Sequence, residues 1–255
     1  MAQSLLFVRR MDVSLYSAAA AMNATERWQD MVAENLSAAS VPGARQQEIS
    51  FSAVQAGLSA GSAGTNFVIP TATATTSFQQ GELKATGGKL DLALEGPGFF
   101  GVQLPDGSKA YTRNGQFKLN SQGQLVSMQG FPVAGTGGTL KFDPNNTAPI
   151  DISPTGEVSQ GADIKGQIAV TEFGNPKALT MADAGFFTAD SVVAQARPAT
   201  TTGVRQGFTE ASNASPTLAM ASLITSMRMF ETNQKVMTMQ SDRMSKSITE
   251  LSGTT

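Results

Sequence analysis

Between Met220 and Leu251 an apolar column returns at every seventh position: Leu223, Phe230, Met237, Met244 and Leu251, with Met220, Met227 and Ile248 three places ahead of three of them. A seven-residue apolar period marks a helix with a continuous seam. It predicts a helix of about 34 residues, about 50 Å long at about 1.5 Å per residue. Such a helix outgrows a small domain, so its seam calls for a partner. A more dilute seam lies at the other end of the chain. Leu15, Met22 and Leu36 fall in one heptad column, and Met11, Ala18, Val32 and Ala39 in its companion. Thr25 and Gln29 interrupt it, as Gln234 and Ser241 interrupt the C-terminal seam. Polar interruptions of this kind lower the stability of a pair while favouring one register over others.

The first helix is expected from about Val13 to Ala39, ending where Val41-Pro42-Gly43 breaks the pattern. The second begins at Ser215-Pro216, a hydroxyl at the N-cap and a proline at the first helical position, and Gly253 follows its last seam residue. From Gln46 to Gln80 the composition turns to Ser, Thr, Ala and Gly with scattered apolar residues. That stretch reads either as a linker or as an extended arm that becomes ordered between subunits. Leu90, Leu92 and Leu94 then alternate with Asp91, Ala93 and Glu95, the period of a half-buried strand. Turn signals at Pro105-Asp106-Gly107, Arg113-Asn114-Gly115, Asn120-Ser121-Gln122-Gly123 and Ser153-Pro154-Thr155-Gly156 punctuate further short apolar runs.

The expected fold class is therefore α+β: long N- and C-terminal helices packed as a coiled-coil-like pair, with a central antiparallel β domain of many short strands. Residues 1–45 and 212–255 form the expected helical domain, 46–82 an extended connector and 83–211 the β domain.

Composition narrows function mainly by exclusion. The 255 residues hold 18 Lys plus Arg against 20 Asp plus Glu, a net charge of −2 that provides no basic field for nucleic acid. Cysteine and histidine are both absent, which removes thiol chemistry, disulfides, zinc fingers and histidine acid–base catalysis. Cysteine-free composition also suits a chain exported unfolded. The basic Arg9 and Arg10 follow the short apolar run Leu5 to Val8, the reverse of a secretory signal. No run approaches the roughly 18 apolar residues of a membrane span, so no membrane insertion is expected.

The glycine clusters Gly87-Gly88-Lys89, Gly96-Pro97-Gly98 and Gly135-Thr136-Gly137-Gly138 lack phosphate-loop spacing and read as turns. Asp91 and Glu95, four apart on a strand, would stand about 13 Å apart, too far for either glycosidase geometry. Several of the 12 methionines occupy seam positions, which reads as adaptable helix packing and not as a soft-metal site. Trp28, off the main stripe, reads either as core at the helix–β junction or as an intersubunit contact. No catalytic residue, cofactor or metal ligand is expected.

Three segments carry a resemblance to a known family. Ala33-Glu34-Asn35-Leu36-Ser37-Ala38-Ala39-Ser40-Val41-Pro42-Gly43 resembles the N-terminal signature of bacterial flagellar axial proteins, the rod, hook and hook-associated family. Leu90 to Phe100, continuing through Ala110-Tyr111-Thr112-Arg113-Asn114-Gly115-Gln116-Phe117 and Gly123 to Val126, resembles the β domain of its rod and hook members. Glu210-Ala211-Ser212-Asn213 with Met227 to Val236 is similar to the C-terminal signature. Ala44 departs from the aromatic common after Pro-Gly, and Glu34 stands where Asn is common.

The resemblance implies a structural subunit of the basal-body rod, exported through the flagellar type III apparatus without a cleaved signal. Such a subunit polymerises into a hollow helical tube that transmits torque across the periplasm. Its implied partners are further copies of itself and other rod and hook proteins, with no nucleic acid. Length points to a rod protein of the proximal or distal type. A β-headed helical-stalk adhesion module is the rival reading, and a hook or hook-associated protein a second alternative. The assembly residues are then those of the seams: Leu15, Met22, Val32, Asn35 and Leu36 at one end, and Met220, Leu223, Met227, Phe230, Met237, Met244, Ile248 and Leu251 at the other.

Overall fold

The computed structural model describes the backbone of residues 2–57, 66–144, 146–182, 185–190 and 192–252, and the side chains of 16–52, 70–144, 146–182, 185–190 and 192–249. The chain divides into two compact units, residues 1–34, 47–75 and 216–255 in one, and residues 35–46 and 76–215 in the other.

The second unit is β-rich. Its largest sheet has six antiparallel strands in the spatial order Thr180–Met181, Phe186–Thr188, Lys109–Thr112, Phe99–Gln103, Val170–Phe173 and Ala196–Pro198. Successive residues of a strand face opposite sides, and here both sides are covered. Phe100 and Phe186 belong to a core with Leu92, Leu94, Val102 and Ile168, while Phe99 and Phe187 belong to another with Tyr111 and Phe173. The second core is aromatic. Tyr111 and Phe173 meet edge to face at 4.9 Å and Phe99 and Phe173 at 5.5 Å, geometries that add to simple burial.

Burial on two sides also revises the strand at Leu92–Glu95, where Ala93 is as fully buried as Leu92 and Leu94. Its alternation had pointed to a half-solvated strand. The turns are closed by side chains. Asn120 Oδ1 accepts hydrogen bonds from the backbone amides of Gln122 and Gln124, and Asp106 Oδ1 accepts from the amide and hydroxyl of Ser108. Glu172 is buried beside the loop at 200–202. Burial alone would raise its pKa, but the amides of Thr201 and Thr200 and the hydroxyls of Thr201 and Thr202 all donate to Oε1 and hold it down to about 2. It therefore stays ionised wherever the fold is intact near neutral pH.

In the first unit, helix α1 spans Ala2–Ala38 and helix α2 spans Pro216–Ser252. The segment expected as a connector carries strands β1, Gln47–Gly57, and β2, Asn66–Thr76, joined in a two-stranded sheet. Trp28 of α1 meets Phe51 of β1 edge-on at 5.7 Å, and Gln47 Nε2 donates to Glu34 Oε2 at 2.8 Å. Trp28 is half-buried and Phe51 is 53% exposed, so this ring pair is a surface contact outside both hydrophobic cores.

The expected coiled-coil-like pair is not what forms, and the fold class needs correction: two helices accompany a β-rich centre without a shared apolar seam. Neither hydrophobic core among the described residues includes a residue of α1 or α2. On α2, Met220, Met227 and Ile248 are 53%, 51% and 61% exposed. The column withdrawn from solvent beside Leu223 and Phe230 lies three places after them, at Ser226, Asn233, Gln240 and Ser247. The helices meet at a polar point, where Asn233 Nδ2 donates to Thr25 Oγ1 at 3.1 Å. The physical reason is local: Thr25, buried on α1, calls for a polar partner, which Asn233 supplies. Hydrophobicity alone had assigned the companion column to the wrong side of α2.

Candidate assembly surfaces and a buried charge junction

The seam residues fall into three groups. Val32 and Asn35 are buried, and Met22, Leu36, Leu223, Phe230, Met237 and Met244 are half-buried. Met220, Met227 and Ile248 face outward. The side chains of Leu15 and Leu251 lie outside the described residues. The outward group is part of a larger apolar face, because Ile224, 55% exposed, stands four places after Met220 and three before Met227. Residues so spaced lie on one side of a helix. They leave an apolar stripe of methionine and isoleucine exposed to solvent along α2.

Three distant segments converge in the β unit on a site that the sequence reading did not single out. After α1, the turn through Val41 brings Gly43 against the Arg113 turn. The Gly43 amide donates to the Glu210 carbonyl at 2.7 Å. Gly43 has φ +71, and a Cβ there would collide with the backbone of Arg113 and Asn114, so both conformation and space call for glycine.

Next to it, Arg45 Nη1 lies 2.7 Å from Glu210 Oε1, with both side chains fully buried. Arg113 Nη1 approaches Glu210 Oε2 at 3.3 Å, Arg113 Nη2 donates to the Gly96 carbonyl at 2.7 Å, and its guanidinium lies 4.8 Å from the Phe99 ring centre. Glu210 Oε1 also accepts from the Gly81 amide at 2.8 Å. Burial, with Arg45 beside it, pushes Arg113 down to about 10 against the pull of Glu210, so it remains a cation at neutral pH.

Asn213 completes the junction. Its Oδ1 accepts from the Gln46 amide at 2.6 Å, and its Nδ2 donates to the carbonyls of Ser77 and Gln79. The backbone leaving α1, the return at 77–81 and the approach to α2 are thus tied by two side chains, Glu210 and Asn213. The signal in the sequence was slight: one arginine after the Pro-Gly turn and one glutamate opening the C-terminal signature. Ala44, which departs from the usual aromatic at this turn, is buried there.

Residues 93–160 match the family model described as the flagellar hook protein FlgE/F/G D1 domain, and residues 205–251 match the flagellar basal body rod FlgEFG protein C-terminal model. The flagellar basal-body rod protein FlgF of Caulobacter vibrioides is 33% identical over 231 residues, covering 89% of this chain and 93% of that protein. This chain belongs to the flagellar basal-body rod protein family. The FlgF protein of Escherichia coli is 33% identical over 91% of this chain and 95% of its own. The rod protein FlgG of Borreliella burgdorferi is 36% identical over 62% of this chain and 63% of its own. Within the family-matched regions lie Glu210, Asn213 and the exposed face of α2. Among the described residues no helix is long and apolar enough to cross a membrane.

Proposed function

We propose that this chain is a non-enzymatic structural subunit of the bacterial flagellar rod, of the FlgF type. It polymerises with itself and joins other rod and hook proteins in a hollow tube that carries torque across the periplasm. The observation that carries the FlgF assignment is coverage. Relatives of that name align with about nine-tenths of both chains, whereas a FlgG relative of similar identity aligns with 62% of this chain. The outward stripe Met220, Ile224 and Met227 supports packing against a neighbouring subunit. Membership of the rod family supports export through the flagellar type III apparatus, and the lack of cysteine suits a chain that crosses unfolded.

Immunoblotting of purified hook-basal bodies tests the proposal. The protein is expected in the rod fraction, resistant to detergent extraction. Recovery in the outer cell-surface fraction instead, with intact hook-basal bodies in a deletion strain, would favour the adhesion module.

A further inference from the structure

We infer that Arg45 is a positioning residue: it holds the chain leaving α1 against the chain entering α2, and the β unit does not need it to fold. The junction carries two buried guanidinium groups and one buried carboxylate, so one cation exceeds the pairing need. Arg113 and the Gly81 amide already satisfy Glu210. Arg45 adds an ion pair at 2.7 Å, but none of its three guanidinium nitrogens makes a well-aimed hydrogen bond. Burying a charge so incompletely satisfied disfavours the fold. What its position between the two segments supplies is location more than stability.

Its neighbours point to the same role. Gly43 donates to the Glu210 carbonyl, the Asn213 amide donates to the Ala44 carbonyl at 3.4 Å, and the Gln46 amide donates to Asn213 Oδ1 at 2.6 Å. Arg45 thus sits at the centre of the lacing between residues 43–46 and 210–213. Any sliding of one segment along the other has to pull its guanidinium off Glu210. The inference deepens the rod reading, because a subunit that packs by its terminal helices needs those helices in one register. Its first readout does not depend on that reading.

The 255-residue sequence contains no cysteine, so Thr25→Cys with Asn233→Cys reports a hydrogen-bonded point between α1 and α2. Arg45→Met in that background should leave hydrogen exchange of residues 92–173 unchanged and lower the disulfide yield at least fivefold. Arg45→Lys, which keeps the charge, should restore most of the yield. An unchanged yield in Arg45→Met would overturn the inference. So would loss of protection across the β unit, which would make Arg45 a stabilising residue. Cells carrying Arg45→Met should also swarm poorly. Normal swarming beside a fivefold loss of cross-linking would count against the rod reading and leave the positioning role standing.

Discussion

Replacing Glu210 with alanine is expected to destabilise the β unit by about 3–5 kcal/mol, the usual consequence of removing one partner from a buried ion pair. The expectation is large because the carboxylate serves several groups at once. Arg45 and Arg113 would both be left as buried cations with no counterion, and the Gly81 amide would lose its acceptor. Arg113 would keep its hydrogen bond to the Gly96 carbonyl and its position over Phe99, which limits the damage on that side. For a unit of this size such a loss corresponds to a melting temperature lower by about 10 °C. Glu210→Gln keeps the shape and one acceptor, and its effect should be near half as large. Circular dichroism during thermal unfolding of the three proteins measures the series. A loss below about 1 kcal/mol for Glu210→Ala, the range of solvent-exposed pairs, would mean the cluster is hydrated and not a buried junction.

Gly115→Ala should be at least as damaging. A Cβ at Gly115 would fall inside the Leu92 carbonyl oxygen, with the Phe100 ring 3.1 Å away. The same two residues are bonded through their backbones, the Leu92 amide donating to the Gly115 carbonyl at 2.9 Å. Relief therefore means pulling the Arg113-Asn114-Gly115 turn off the strand Leu92–Glu95, which opens the larger core. Losses above about 4 kcal/mol are reserved for such mechanisms, and the variant should accumulate as insoluble or protease-sensitive protein. Gly107→Ala is the control. Nothing lies within 4 Å of a Cβ there, so its effect is confined to the backbone cost of a left-handed conformation, about 1–2 kcal/mol. Equal solubility and equal urea midpoints for the two variants would refute the close-approach account of Gly115.

What could be read in the sequence follows the range of each interaction. Local signals worked where a residue acts on its own backbone: Asp106, Asn120 and the glycines near them mark turns because the turn chemistry is contained in the dipeptide. The column Leu223, Phe230, Met237 and Met244 was legible for the same reason, as periodicity within one element, and all four are half-buried. The other half of the α2 stripe was not. Choosing its side depends on what α1 presents, and the polar column Ser226, Asn233, Gln240 and Ser247 carries no hydrophobic signal. The connector's strands β1 and β2 were obscured because Ser, Thr and Ala dilute any alternation. The junction was hidden by sequence distance. Arg45, Arg113 and Glu210 each look like an ordinary surface charge until the β fold brings them together away from water.

We propose that the outward apolar stripe of α2 serves assembly and contributes nothing to the fold of the single chain. Electron microscopy of hook-basal bodies, isolated from deletion cells complemented with Met220→Ser/Ile224→Ser/Met227→Ser, tests it most directly. The account predicts that the purified variant melts within about 1 kcal/mol of the parent, as substitutions at exposed positions do, while complete rods are absent and the cells do not swim. Normal numbers of complete rods and normal swimming from this triple variant would contradict it.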